Sequence, residues 1–428
     1  MQVRQLDMSK AAEALAAARV TATAFRSPER YRQLLAETGL APDRPLPDPS
    51  VGDPARRVWG AFSGDTLAAV VTGIKYNIAF EGQAVPMCGI GGVATLPEYR
   101  RQGAIRAIMD RLLHQEREEG TVFSYLYPFS FQFYAKFGYG PGCRRFRVEL
   151  PAGDLRSLPG RGQIRHYRPE DRPVVESIYA CFTAGTNGPV RRTKGLWDRL
   201  LEQDRWQEQQ HVYIWQQEPG REEAYAVFKT VAEGGKDTLR IQDWAVTGPS
   251  GLTGLLAFLG GFADQYATIS LQVPTHLDLT HYFAEPRPLK HQLEIGGQSR
   301  VVHAGKALSA LGRPEWLVRE VRALAGETGG STCVTWRIKD DFLPENSGLY
   351  QVDLARPGQI AQRLDDPGPT ADITVRNGIL ATLLLGVQGL EDLAGHPDIQ
   401  IRPDMDARRM DLLCRFLSRK KNGLYDYF

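Results

Sequence analysis

The chain has 428 residues, enough for two or three domains that each bury a core of their own. It is 42% hydrophobic and 24% charged, the composition of a soluble globular protein. Its formal net charge of +2 gives no global reason to expect a nucleic-acid partner.

Five scattered cysteines, Cys88, Cys143, Cys181, Cys333 and Cys414, form no C-x-x-C pair, which argues against a disulfide framework or structural zinc. No metal is expected. No window approaches a membrane span, and the opening "MQVRQLDMSKAAEALAAARV" lacks the uninterrupted apolar core of a signal peptide. The expectation is a cytoplasmic protein with no membrane partner.

In chain order, "VRQLDMSKAAEALAAARVTATAF" predicts a short strand and a helix, and "VWGAFSGDTLAAVVTGIKYNIAFEGQAVPMCGIGGVATL" a meander punctuated by turns at "SGD" and "FEGQ". A helix follows to about Glu119, then a strand in "TVFSYLYPF" and the segment "SFQFYAKFGYGPG", giving the order β-α-β-β-β-α-β-α-β. The pattern restarts at "IRHYRPEDRPVVESIYACF", and a second meander, junction, helix and strand run from His211 to Pro274. "RRFRVEL" predicts a half-exposed strand, and "GGFADQY" and "IGGQ" glycine turns. From about Gln298, helical "AGKALSALG" and "EWLVREVRALAG" alternate with strand-like "STCVTWRIKD", "GLYQVDL" and "ADITVRN", before a leucine-rich helix "GILATLLLGV". The fold class is mixed α/β (α+β), and the boundaries expected are 1–158, 159–297 and 298–428.

The stretch "YRRQGAIRAIMD", Tyr99 to Asp110, places two arginines and a glycine where a strand hands over to a helix. Unpartnered N–H groups at the positive end of a helix dipole, with Arg100 and Arg101 beside them, suit a phosphate. Gly103 lets the backbone approach a bulky anion, while Ile105, Ile108, Met109, Leu112 and Leu113 fall on one helical face. Taken alone, the motif is also compatible with an ordinary surface loop. The second junction, "TGPSGLTGLL", carries no arginine, so the second copy is expected to be structural or oligomerising. His114 reads as solvated surface, and His276 and His281 as too weak a pair for a metal.

The first repeat resembles the GCN5-related N-acetyltransferases, whose cofactor motif Q/R-x-x-G-x-G/A is matched by Arg100-Arg101-Gln102-Gly103-Ala104-Ile105, with Ile105 replacing the last small residue. The whole chain resembles the Eis (enhanced intracellular survival) family through "GGVATLPEYRRQGAIRAIM", "PFSFQFYAKFGYG" and the ending "YF". That resemblance implies two tandem GNAT-like domains, the first active and the second degenerate, and a C-terminal sterol-carrier-protein-like α+β domain. It implies acetyl-CoA as co-substrate, held by Arg100, Arg101, Gln102, Gly103 and Ala104 at the pyrophosphate and by the strand Val93, Ala94 and Thr95 along the pantetheine arm. It further implies a homo-oligomer, a hexamer in this family.

Acetyl transfer from a thioester to an amine requires a neutral amine, a stabilised oxyanion and a thiolate that can leave. Tyr134 in "FYAKFGYG" matches the family's general acid: a phenol of reference pKa near ~10 is protonated at neutral pH and can donate to sulfur. Read from residues alone, Tyr127, Tyr134 and Tyr139 sit in an aromatic cluster, where tyrosines are more often packing residues. By resemblance the base is the terminal carboxylate, here that of Phe428, anionic with a reference pKa of about 3.5. The acceptor implied is a cationic primary amine of aminoglycoside, polyamine or lysine type, attacked directly in a ternary complex, with Asp426 the nearest candidate to hold a polycation. The rival function is a lipid- or hydrophobe-binding protein in which the sterol-carrier-like domain works and the transferase folds are scaffold.

Overall fold

The computed structural model describes residues 1–38, 56–160, 162–202, 209–229, 238–283, 287–365 and 370–427. They form two compact units. Unit 1 comprises Met1–Cys143, Gly297–Lys420 and Asp426–Phe428, and unit 2 comprises Arg144–Gly296 and Lys421–Tyr425.

Unit 1 opens with β1 (Gln2–Gln5), α1 (Ala11–Phe25) and α2 (Glu29–Thr38). A single helix was expected here. The first helix stops because Arg26 turns left-handed at φ 55°, and "PERYRQLLAE" starts another, with proline favoured at a helix beginning. The meander is β2 (Arg56–Ser63), β3 (Thr66–Phe80) and β4 (Gln83–Thr95), followed by α3 (Ala104–Glu118), β5 (Phe123–Leu126) and α4 (Phe131–Ala135). Pairing is antiparallel from β1 through β4, then parallel between β4 and β5, as a helical crossover requires. Small alanines on α1 (Ala11, Ala14, Ala17) are buried, and Ala17 and Val20 pack with Leu67, Val70 and Ala94 of the sheet. On its own buried side, α3 presents Ile108, Met109, Leu112 and Leu113, the helical stripe expected.

Unit 2 repeats this plan. In chain order it holds β6 (Gly140–Pro151) from Arg144 on, β7 (Gln163–His166), α5 (Arg172–Phe182), α6 (Lys194–Leu201), β8 (Gln210–Gln216), β9 (Glu222–Lys229), β10 (Thr238–Val246), α7 (Pro249–Gly260) and β11 (Thr268–Pro274). The β7–β8–β9–β10 neighbours are antiparallel and β10 runs parallel to β11, which reproduces β1 to β5 pair for pair. The duplication read in the sequence is therefore present in the topology.

The closing strands are exchanged. Beyond β5 lies β12 (Lys290–Val301), from the end of the second repeat, paired antiparallel through Gln298–Val301. Beyond β11 lies β6, from the end of the first repeat, paired from Pro151↔Thr268 to Arg145↔Pro274. "IGGQ", expected as a turn, lies inside β12. The close backbone approach here is required of the facing strand, where a Cβ on Gly142 of β6 would come 2.9 Å from the Gln298 carbon and the Ser299 nitrogen.

The remainder of unit 1 is a five-stranded sheet ordered β15-β14-β13-β16-β17, with β13 (Cys333–Lys339), β14 (Gly348–Asp353), β15 (Gln362–Leu364), β16 (Ile373–Arg376) and β17 (Ile399–Ile401). Around it are α8 (Ala304–Ser309), α9 (Glu315–Thr328), α10 (Asn377–Leu384), α11 (Leu390–Leu393) and α12 (Ala407–Phe416). The leucine-rich α10 has Leu380, Leu383 and Leu384 buried.

Candidate active site

The junction after β4 begins with a bulge. Register with β3 holds to Thr72↔Gly91 and resumes at Val70↔Ala94, so Gly92 and Val93 together oppose Val71. Gly92 takes φ +57°, and a Cβ there would crowd the Thr72 hydroxyl at 3.1 Å, which is why "GG" stands at this point. Pairing of β4 with β5 ends at Ile90↔Leu126, while β4 runs on to Thr95. The backbone of Gly91–Thr95 thus continues past its parallel neighbour, a strand edge that an extended ligand arm can pair with. Ala94 is buried under α1, and Val93 packs on the opposite face with Ala104, Ile108 and Tyr134.

A short 3-10 turn at Pro97–Tyr99 leads into the Arg100–Gly103 loop. Arg101 and Gly103 both have positive φ, 61° and 81°. For a non-glycine residue that conformation is uncommon and strained, and alternation of this kind turns successive N–H groups inward to form an anion nest. No side chain caps α3, its first turn holds no acid, and a Cβ on Gly103 would meet nothing within 4 Å. Arg100, Arg101, Gln102 and Gly103 are exposed, and the Gln102 side chain steadies the loop by donating to the Glu98 carbonyl at 3.0 Å. An uncapped helix start, two cations and open space fit a diphosphate.

The second junction is built to opposite effect. At the start of α7 the Ser250 hydroxyl donates to the buried Glu223 carboxylate, so the chain supplies its own anion there. A Cβ on Gly251 would collide with the Glu223 carbonyl and one on Gly254 with the Trp215 ring. Those glycines serve close helix-on-strand packing.

Tyr134 lies on α4, whose N-cap Ser130 accepts from the Phe133 N–H at 3.3 Å. The Tyr134 carbonyl closes the turn by accepting from Phe137 (2.9 Å) and Tyr139 (3.3 Å). Its ring makes edge contacts with Phe129, Phe133, Phe137 and Tyr139 at 5.0–6.4 Å. Burial pushes the phenol up to about 12, so it holds its proton at neutral pH. Among the described residues its hydroxyl makes no hydrogen bond. Tyr139 differs: its hydroxyl donates to Ser124 Oγ at 2.7 Å, because that Ser124 proton goes to the Cys88 carbonyl. Of these two tyrosines, Tyr134 is the one with an uncommitted donor.

Tyr127, one residue past β5, does something the sequence did not suggest. Its hydroxyl donates to the Asp426 carbonyl at 2.7 Å and its ring stacks on Tyr427 at 4.2 Å. Phe428 lies outside the described residues. Phe129, Tyr427 and Phe131 stand 72%, 61% and 41% exposed. His114, expected on the surface, is half-buried, with Nε2 3.2 Å from Glu345; His276 is exposed. Among the described residues no group of three or more His, Cys, Asp and Glu could hold a metal ion, and no helix is long and apolar enough to cross a membrane.

Comparison with known proteins agrees with this layout. Residues 5–142 and 188–301 each match a family described as "Acetyltransferase (GNAT) domain", and residues 308–420 match "Sterol carrier protein domain". An uncharacterized N-acetyltransferase of Streptomyces avermitilis is 27% identical over 81% of this chain and 84% of its own. The N-acetyltransferase Eis of Mycobacterium bovis is 30% identical over 33% of this chain and 38% of its own. The crystal structure of Eis1 from Mycobacterium abscessus superposes with a TM-score of 0.72 at 18% identity, covering 100% of both chains, a likeness of fold.

Proposed function

We propose that this chain, which belongs to the Eis family of GCN5-related N-acetyltransferases and is itself an N-acetyltransferase, transfers acetyl from acetyl-CoA to a cationic primary amine by direct attack in a ternary complex. The observation that carries the reading is the uncommitted Tyr134 hydroxyl, packed in one cluster with Val93 and the start of α3. Arg100, Arg101 and the N–H groups of Gln102, Gly103 and Ala104 would hold the pyrophosphate, and the backbone of Val93, Ala94 and Thr95 the pantetheine arm. Tyr134 then protonates the departing thiolate as the amine nitrogen bonds to the thioester carbonyl. The carboxylate of Phe428 takes the proton from the ammonium; docking of Asp426 and Tyr427 on Tyr127 supports that assignment.

Acceptors of aminoglycoside, polyamine or lysine type all fit this chemistry. The exposed Phe129, Phe131 and Tyr427 favour an ammonium on an apolar stem, as in lysine, because aromatic faces attract both the cation and the methylenes. Boundaries at 1–158, 159–297 and 298–428, a cytoplasmic location and a homo-oligomer, a hexamer by family resemblance, belong to the same reading. Lipid carriage by the C-terminal domain has less support: a cavity of about 530 Å³ beside α9 is lined by Asp372, Arg402, Asp406 and Arg409, poor walls for an acyl chain. The test is a screen of amines for release of free thiol from acetyl-CoA, alongside binding of acetyl-CoA and of a fluorescent acyl probe. Tight acyl binding without acetyl-CoA binding would reverse the ranking.

A further inference from the structure

Arg300 of β12 carries a fully buried guanidinium, and its partner Asp340, just past β13, is 1% exposed. Nη2 of Arg300 donates to Asp340 Oδ2 at 2.6 Å, and Nη1 donates to the Phe137 carbonyl. Asp340 is itself held from several sides. Its Oδ2 also accepts from Asn377 (2.5 Å) and Asn346 (3.0 Å), and Oδ1 accepts from the Phe342 and Leu343 amides at 3.1 and 3.0 Å. Asn377 grips the strand as well, accepting from the Val301 N–H and donating to its carbonyl, each at 2.9 Å.

A buried ion pair is seldom retained for stability, since apolar residues of equal volume commonly do as well. Its use here follows from where the second guanidinium nitrogen goes. The Phe137 carbonyl belongs to the turn closed by the Phe137 and Tyr139 amides on the Tyr134 carbonyl. Gly138 sits at φ +76°, where a Cβ would come 3.3 Å from Nη1, so glycine lets the turn meet the guanidinium. The same guanidinium lies 6.0 Å over the Tyr139 ring and 5.8 Å over that of Phe342. The tyrosine's side chain points into an aromatic cluster, while the backbone behind it is tied to a cation.

We propose that Arg300 is a positioning residue for Tyr134, and that the C-terminal α+β segment contributes to catalysis by holding Arg300 through Asp340 and Asn377. This rests on the reading of Tyr134 as the general acid. A charge-assisted bond fixes the Phe137 carbonyl more firmly than solvent would, and misplacement of an acid by about 1 Å can cost on the order of 100-fold in turnover.

The experiment is a double-mutant cycle of Arg300→Met with Tyr134→Phe, measuring kcat and acetyl-CoA affinity. Arg300→Met alone should lower kcat by roughly 10- to 100-fold with affinity for acetyl-CoA retained, and Arg300→Lys should recover part of the loss. In the Tyr134→Phe background the same substitution should change kcat by less than about two-fold, because the group it positions is gone. Asp340→Asn should follow Arg300→Met, lowering kcat where Tyr134 is present and changing it by less than about two-fold in the Tyr134→Phe background, and it carries the comparison if Arg300→Met fails to fold. Asp243→Asn, in the buried Arg192–Asp243 pair of unit 2, should lower Tm with kcat unchanged. A full Arg300 or Asp340 effect in the Tyr134→Phe background overturns the inference alone. Normal turnover of Tyr134→Phe overturns the acid reading and the inference with it.

Discussion

The Tyr127 hydroxyl donates to the Asp426 carbonyl at 2.7 Å, tying the residue after a central strand to the third residue from the end of the sequence. This bond and the Tyr127–Tyr427 stack give the tail a fixed approach to unit 1.

If the Phe428 carboxylate is the base, appending a C-terminal tag carries the charge away, and deleting Phe428 sets the carboxylate back by one residue, about 3.3–3.6 Å. Either change should lower turnover on the best amine by on the order of 100-fold, with Tm nearly unchanged, whereas an N-terminal tag should do little. Equal rates for uncleaved C- and N-terminally tagged proteins, checked by mass, would remove the carboxylate from the mechanism. Tyr127→Phe keeps the ring stack and should give a smaller loss of the same kind.

Arg101→Ala should raise the KM for acetyl-CoA, and Arg100→Ala less so, because a charge-assisted phosphate bond is worth roughly 1.5–3 kcal/mol. Arg101→Gly separates charge from conformation, since glycine accepts the positive φ of 61° seen at this position. Its KM should rise like that of Arg101→Ala while its Tm stays at or above that of the alanine variant. An unchanged KM in all three variants would take these arginines out of the site.

Gly140→Ala should destabilise unit 1, because the added Cβ would strike the Gly378 carbonyl, rigid backbone at the start of α10. Overpacking of this kind costs about 1–3 kcal/mol. Gly153→Ala, where nothing lies within 4 Å, is the control and should melt at the wild-type temperature. Denaturant midpoints of the two variants check this directly.

His303 caps α8 by accepting from the Lys306 N–H at 3.3 Å, which needs an unprotonated ring nitrogen. Burial, with Arg117 and Lys306 nearby, lowers this imidazole from 6.5 to about 4. The unfolded chain therefore takes up a proton before the folded one does. The stability it contributes is complete above pH 6.5 and is lost as pH falls towards 4. His303→Asn keeps a capping acceptor without titrating, so its unfolding free energy should fall less between pH 7 and 4.5 than the wild type's. Parallel pH curves for the two proteins would rule out this role.

The sequence showed most of what depends on local pattern. Periodicity gave α3 with its buried stripe, turn residues gave the meanders, and the Arg100–Gly103 junction announced a helix start without a cap. Partnership over long separations was not legible. "GGQSRVV" alternates like a strand, but nothing in it says that the strand pairs with β5, or that Arg300 is a core residue; a lone arginine in such a run is normally solvated. The two glycines there looked like a turn because glycine favours reversals and is depleted from strand interiors, yet both lie inside β12. Tyr127 carried no signal either, since the residue it grips lies at the far end of the chain.

The exchanged strands bear on how this protein is made. While β5 emerges from the ribosome, its four residues, Phe123 to Leu126, all destined to be buried, have β4 on one side and nothing on the other. The strand that covers them begins its pairing at Gln298, a wait on the order of ten seconds at ~5–20 residues per second of synthesis. Through that interval the nascent chain carries an open apolar edge, the kind of template on which β-sheet proteins aggregate. Cutting between the repeats would make that interval permanent for both halves, each left without its last strand. A catalytic fragment is thus better sought by supplying the missing strand in trans than by trimming the gene at the repeat boundary.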